Sequence, residues 1–128
     1  MNPLLWCLVV VTFLPVVTGM VAGYFRKQQC GFIDNHLPRI QQAQLTGIAA
    51  RAQAAHANSW EALTLFAPIV MITQIAGIDP VKAGITGIVF VVFRVLHALF
   101  YITDLAIMRS LMFGGALVCL IRLVVLSA

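Results

Sequence analysis

The sequence predicts an all-α integral membrane protein, organised as a four-helix bundle in lipid. Three observations carry that reading. Hydrophobic residues make up 62% of the chain and charged ones only 9%, whereas a soluble domain carries roughly a quarter charged residues to keep its surface wet. The apolar residues come in long blocks, not in the stripes of a water-facing helix. The mean hydropathy is +1.01, so lipid is the natural solvent for most of this surface.

The first block runs from Pro3 to Phe25 without a charge, enough to cross a hydrocarbon core of about 30 Å at about 1.5 Å per residue. It lacks a basic leading segment and a small-x-small site before Arg26, so a retained helix is expected and not a cleaved signal. The second block, Ala62 to Ile78, extends back into the Ala-rich stretch after Gly47. The third, Ala83 to Thr103, is interrupted by Arg94 and His97. The last begins at Ser110 and carries Arg122 near its end. Backbone polar groups in lipid must be satisfied within the segment, so all four are expected as helices, at about 3–25, 47–77, 80–103 and 106–127 of one domain covering 1–128. Pro15 and Pro68 fall inside spans, where neighbouring groups tolerate a kink.

The longest connection reads RKQQCGFIDNHLPRIQQAQLTG. Asp79-Pro80 is a helix start, with Asp capping and Pro in the first turn. Lys and Arg concentrate in the first and third connections and at their edges, with Arg51 and Arg109. Basic residues flanking spans favour the cytoplasmic side, which puts both termini on the opposite face. The net charge of +4 is a matter of topology, and no interleaving of basic and aromatic residues suggests nucleic acid. The three cysteines and three histidines share no metal-ligand spacing.

Two stretches hold candidate functional residues. On the second long helix, Arg51, Asn58 and Glu61 share a face, since a spacing of seven returns to within about 20°. On the third, Arg94, His97 and Tyr101 align in the same way. A charge at mid-bilayer costs about 2.5–3.5 kcal/mol on insertion scales, so Glu61 and Arg94 are expected to pair. The bland reading of the others is structural: His97 bonding a neighbouring helix, Tyr101 anchoring at the interface, and Arg109 snorkelling to phosphates. Arg109 equally suits an anion held in a cleft, because guanidinium stays charged and offers five donors.

The stretch RAQAAHANSWEALTLF, followed one helix later by RVLHALFY, resembles the MAPEG family, the membrane-associated proteins of eicosanoid and glutathione metabolism. The resemblance covers nearly the whole chain. It implies a four-helix subunit that assembles as a homotrimer, with glutathione as co-substrate bound between neighbouring subunits. It implies a transferase or peroxidase acting on lipophilic electrophiles or hydroperoxides in the bilayer, the inner membrane if the chain is bacterial. By the same carry-over Arg109 activates the glutathione thiolate and Tyr101 hydrogen-bonds it. Arg51, Asn58, Glu61, Arg94 and His97 complete the glutathione-binding set. The chain departs from glutathione-active relatives at Ala54, where those carry a basic residue, and at Ala57, where some of them carry another. Two alternatives stay open: a non-catalytic lipid-binding protein of the same fold, and a small proton-coupled multidrug transporter.

Overall fold

The computed structural model describes the whole chain, Met1–Ala128, and every regular element in it is helical. Helix α1 spans Pro3–Cys30, α2 Pro38–Ala43, α3 Gly47–Ile75, α4 Pro80–Ile102 and α5 Ala106–Ser127. Three of them, α1, α4 and α5, are long and apolar enough to cross a membrane. Helix α3 is the longest, at 29 residues, yet falls outside that set, because its first half carries Arg51, Gln53, His56, Asn58 and Glu61. Against the expected four spans the structure has five helices, of which three are apolar membrane-length elements.

Local chemistry sets the ends. Asn2 caps α1 by accepting from the Leu5 N–H at 3.1 Å, with Pro3 in the first turn. Helix α1 continues past Phe25, where the apolar block ends, because Arg26, Lys27, Gln28 and Gln29 are all good helix formers. It stops at Gly31, whose φ of 79° turns the chain left-handed while its N–H donates to Lys27 O. Asp79 caps α4 through the Val81 N–H at 2.9 Å. Helix α2 lies within the first connection, where six residues give too little periodicity to be read from sequence.

Helices in lipid associate through close packing, since lipid tails are as apolar as the side chains. Small residues provide that closeness. A Cβ on Gly84 would stand 2.7 Å from the Pro3 ring, and one on Gly87 2.7 Å from the Leu4 side chain, so α1 side chains pack directly onto the α4 backbone. Gly115 of α5 lies under the Phe93 ring in the same way. Helix α1 also packs along α3, and α3 along α4 and α5. At the centre Phe66 and Phe90 stack with centroids 4.3 Å apart and planes 6° from parallel. Only 28 of 128 residues are buried, so the apolar side chains turn outward along the spans, Met20, Ile75 and Val125 among them. That outward apolar surface and the three apolar helices make this a membrane protein.

Thr46 bonds Gln29 and Arg51 bonds Ile102, so the α1 C-terminus, the α3 N-terminus and the α4 C-terminus share one end of the bundle. Arg26, Lys27, Arg39, Arg51 and Arg109 gather at this end, leaving Lys82 and Arg122 toward the other and Arg94 between them.

Candidate functional site

Arg94 stands on α4 with its side chain buried to 3% exposure. Its Nη2 donates to the Asn58 side-chain oxygen on α3, and to the Asn58 backbone carbonyl at 3.3 Å. Guanidinium only donates, which fixes the amide orientation: oxygen toward Arg94, nitrogen away. That nitrogen donates to Glu61 Oε2 at 2.8 Å. The expected direct pair between Glu61 and Arg94 is therefore corrected. No Lys or Arg nitrogen in the chain lies within 4.0 Å of a carboxylate oxygen, and Asn58 links the two charges instead. Its amide offers an acceptor to the cation and a donor to the anion, so one neutral group serves both.

From Arg94 the contacts run on toward the basic end. Residues three and four apart share a helix face, so His97 and Tyr101 follow Arg94 along α4. Arg94 Nη2 lies 3.4 Å from His97 Nδ1, which must accept, placing the ring proton on Nε2. The buried His97 ring meets Tyr101 edge-on at 5.7 Å and Phe113 of α5 at 6.2 Å. Arg109, one turn before Phe113, lays its guanidinium over the Tyr101 ring at 4.3 Å, a cation–π contact. Glu61, Asn58, Arg94, His97, Tyr101 and Arg109 thus form one unbroken series across three helices.

The inner end of that series opens into a cleft of about 140 Å³ between α3, α4 and α5. Asn58, Glu61 and Arg94 form its polar wall; Leu65, Phe113 and Leu117 form the apolar one. The structure thus brings together three of the sequence candidates in the cleft and three in the ladder beside it. Arg51 lies apart, its Nε donating to Ile102 O at 3.1 Å and so capping the C-terminus of α4. His56 is held elsewhere: its Nδ1 is 2.8 Å from Pro15 O and its ring sits against Gly19. Sequence reasoning does not reach Phe113 and Leu117, whose only signal is the one- and two-turn spacing from Arg109. Nor does it show that Arg94 Nε and two Arg26 nitrogens are buried without a hydrogen-bond partner.

The MAPEG family model matches residues 3–128. The chain belongs to the MAPEG family. The match takes in all five helices and every residue of the ladder. No curated protein matches the chain. In this MAPEG chain the position four before Asn58 is Ala54 and the one immediately before it is Ala57. Arg94 is therefore the nearest cation held against that amide.

Proposed function

We propose that the protein is a membrane-bound glutathione transferase or peroxidase that acts on lipophilic electrophiles or hydroperoxides. Membership of the MAPEG family supports a glutathione-transferase-type or related function at family level. The observation that carries the finer reading is the series from Glu61 to Arg109, which sets a polar wall and a cationic end beside an apolar wall. One side suits a charged tripeptide, the other a lipid-soluble acceptor.

In this reading Asn58 and Glu61 hold polar groups of glutathione, with the Arg94 guanidinium fixing the Asn58 amide behind them. Tyr101 makes no hydrogen bond through its hydroxyl within the chain, which leaves it for the ligand. Arg109, held by the Tyr101 ring, faces the sulfur. A free thiol has a pKa of about 8.5 and reacts as the thiolate; a fixed guanidinium favours that anion. The proton leaves to water, and the thiolate sulfur bonds to an electrophilic carbon as the leaving group departs with its electron pair. With a hydroperoxide the sulfur takes the outer oxygen and the O–O bond breaks. The alcohol departs, and a second glutathione reduces the sulfenic acid to disulfide and water.

Two further elements belong to the proposal. Helix α3 serves as the fourth span, its polar face turned to the cleft and not to lipid. A homotrimer completes the site, because the cleft of about 140 Å³ is well below the roughly 300–1,000 Å³ of small-molecule sites. Glu61 is moreover exposed at the middle of α3, where a neighbouring subunit would shield it from lipid.

The test is difference absorbance of detergent-purified protein titrated with glutathione. The thiolate band should appear with wild type and vanish with Arg109→Ala. Binding without a band, unchanged by Arg109→Ala, would assign a lipid-binding role without turnover. Proton-driven cation uptake abolished by Glu61→Gln would assign transport.

A further inference from the structure

The first connection, from Gly31 to Thr46, is an ordered structure. Gln41, polar yet buried, donates to Phe32 O at 3.0 Å and accepts from the Asp34 N–H at 3.0 Å. Asp34 Oδ1 accepts from the N–H groups of His36 at 2.9 Å and Leu37 at 3.1 Å. Gln29 reaches across to Thr46, accepting from its N–H and donating to its hydroxyl. Gln29, Asp34 and Gln41 thus tie the connection together through its own backbone, while Asn35, His36 and Gln44 stay exposed.

Four apolar side chains of the connection turn outward, while Leu45 is buried. Phe32, Leu37 and Ile40 are each more than half exposed, and Ile33 is 39% exposed. Exposed apolar side chains clustered on one ordered segment mark an interaction surface. Lys27 and Arg39 are exposed beside them. Asp34 is the sole acid of the connection, and its Oδ1 is already engaged by backbone.

We infer that this connection is a membrane-surface platform that seats on anionic phospholipid. Phe32, Ile33, Leu37 and Ile40 enter the boundary between headgroups and acyl chains, while Lys27 and Arg39 meet headgroup phosphates. Two observations favour a bilayer as the occupant. The connection follows directly on α1, a membrane-length apolar helix whose second half exposes Met20 and Tyr24. The exposed charges beside it are cationic, and a Lys or Arg near an anionic leaflet contributes about 1 kcal/mol, or about fivefold in affinity.

The experiment uses the full chain, with Trp6→Phe and Trp60→Phe removing the native indoles and Phe32→Trp placing a reporter on the platform. Leu37→Trp in the same background serves as a second reporter, should the first variant not fold. Each is reconstituted in vesicles of phosphatidylcholine with and without phosphatidylglycerol, one of the two lipids brominated at a time. Quenching by both lipids is expected, stronger from brominated phosphatidylglycerol. Lys27→Gln and Arg39→Gln should each lower that preference about fivefold. A reporter that emits as in water and is not quenched would overturn the platform. Equal quenching by the two lipids, unaltered by the charge changes, would overturn recognition of anionic headgroups. A shielded, unquenched reporter would give the face to a second copy of the chain, which also overturns the inference.

Discussion

Asn58 stands between Arg94 and Glu61 and keeps the two charges from meeting, taking the guanidinium on its oxygen and the carboxylate on its nitrogen. The cation is buried and the anion exposed, so the amide carries an electrostatic link from the interior to the mouth of the cleft.

Removing that amide should cost more than neutralising the acid. Asn58→Ala strips Arg94 of its side-chain acceptor and leaves only the Asn58 carbonyl and His97. A buried donor left unsatisfied costs about 1–3 kcal/mol. Glu61→Gln retains an acceptor for the Asn58 nitrogen and should cost under about 1 kcal/mol. Thermal unfolding in detergent micelles compares the two variants. Equal losses would mean that Arg94 is stabilised by the charge of Glu61 and not by Asn58.

The Tyr101 ring and its hydroxyl should separate by function. The ring positions Arg109, a contact of about 0.5–2 kcal/mol, whereas the hydroxyl bonds nothing in the chain. Tyr101→Phe should leave melting unchanged and weaken glutathione binding about tenfold, the loss of one hydrogen bond of about 1.4 kcal/mol. Tyr101→Ala should also diminish the thiolate band, because Arg109 loses its seat. Isothermal titration with glutathione and difference absorbance read the two effects. A Tyr101→Phe variant with wild-type affinity would remove the hydroxyl from the site.

The sequence makes part of this arrangement legible and conceals part for identifiable reasons. The period of a helix puts Arg94, His97 and Tyr101 on one face wherever α4 packs, so that alignment can be read directly. Apolar blocks likewise reveal α1, α4 and α5. The interposition of Asn58 depends on the register between α3 and α4, which no spacing within α3 encodes. Arg51 shares the α4-facing side of α3, yet it reaches the end of α4 and not the cleft, because it lies two turns closer to that end. The apolar wall of Phe113 and Leu117 is invisible in a helix where nearly every residue is apolar. The apolar block from Ala62 makes α3 look like an ordinary span, but six polar residues in its first half lower its hydropathy.

Glycine positions should divide sharply by their surroundings. Gly87→Val would drive a side chain into Leu4 and Cys7 and part α1 from α4, for a loss of about 1–3 kcal/mol. A Cβ added at Gly114 would meet nothing within 4 Å, so Gly114→Ala should gain about 0.5–1 kcal/mol by stiffening α5. Melting of the two variants in one detergent checks both signs together. A neutral Gly87→Val would deny the close α1–α4 contact.

His56 should prove a fastener between helices and not a ligand contact. Its Nδ1 donates to Pro15 O, and its ring fills the space that Gly19 leaves open. Pro15 carries no N–H, so α1 lacks the internal bond to the Val11 carbonyl, and one turn further on the histidine ties the helix to α3. His56→Ala removes the hydrogen bond and opens a void against Gly19, for a combined loss of about 1–3 kcal/mol. The glutathione affinity of the folded fraction and its thiolate band should stay at wild-type levels, because His56 touches no member of the ladder. Melting and titration on one preparation distinguish the roles. If affinity falls while melting holds, His56 belongs to the binding site and the fastener reading is lost.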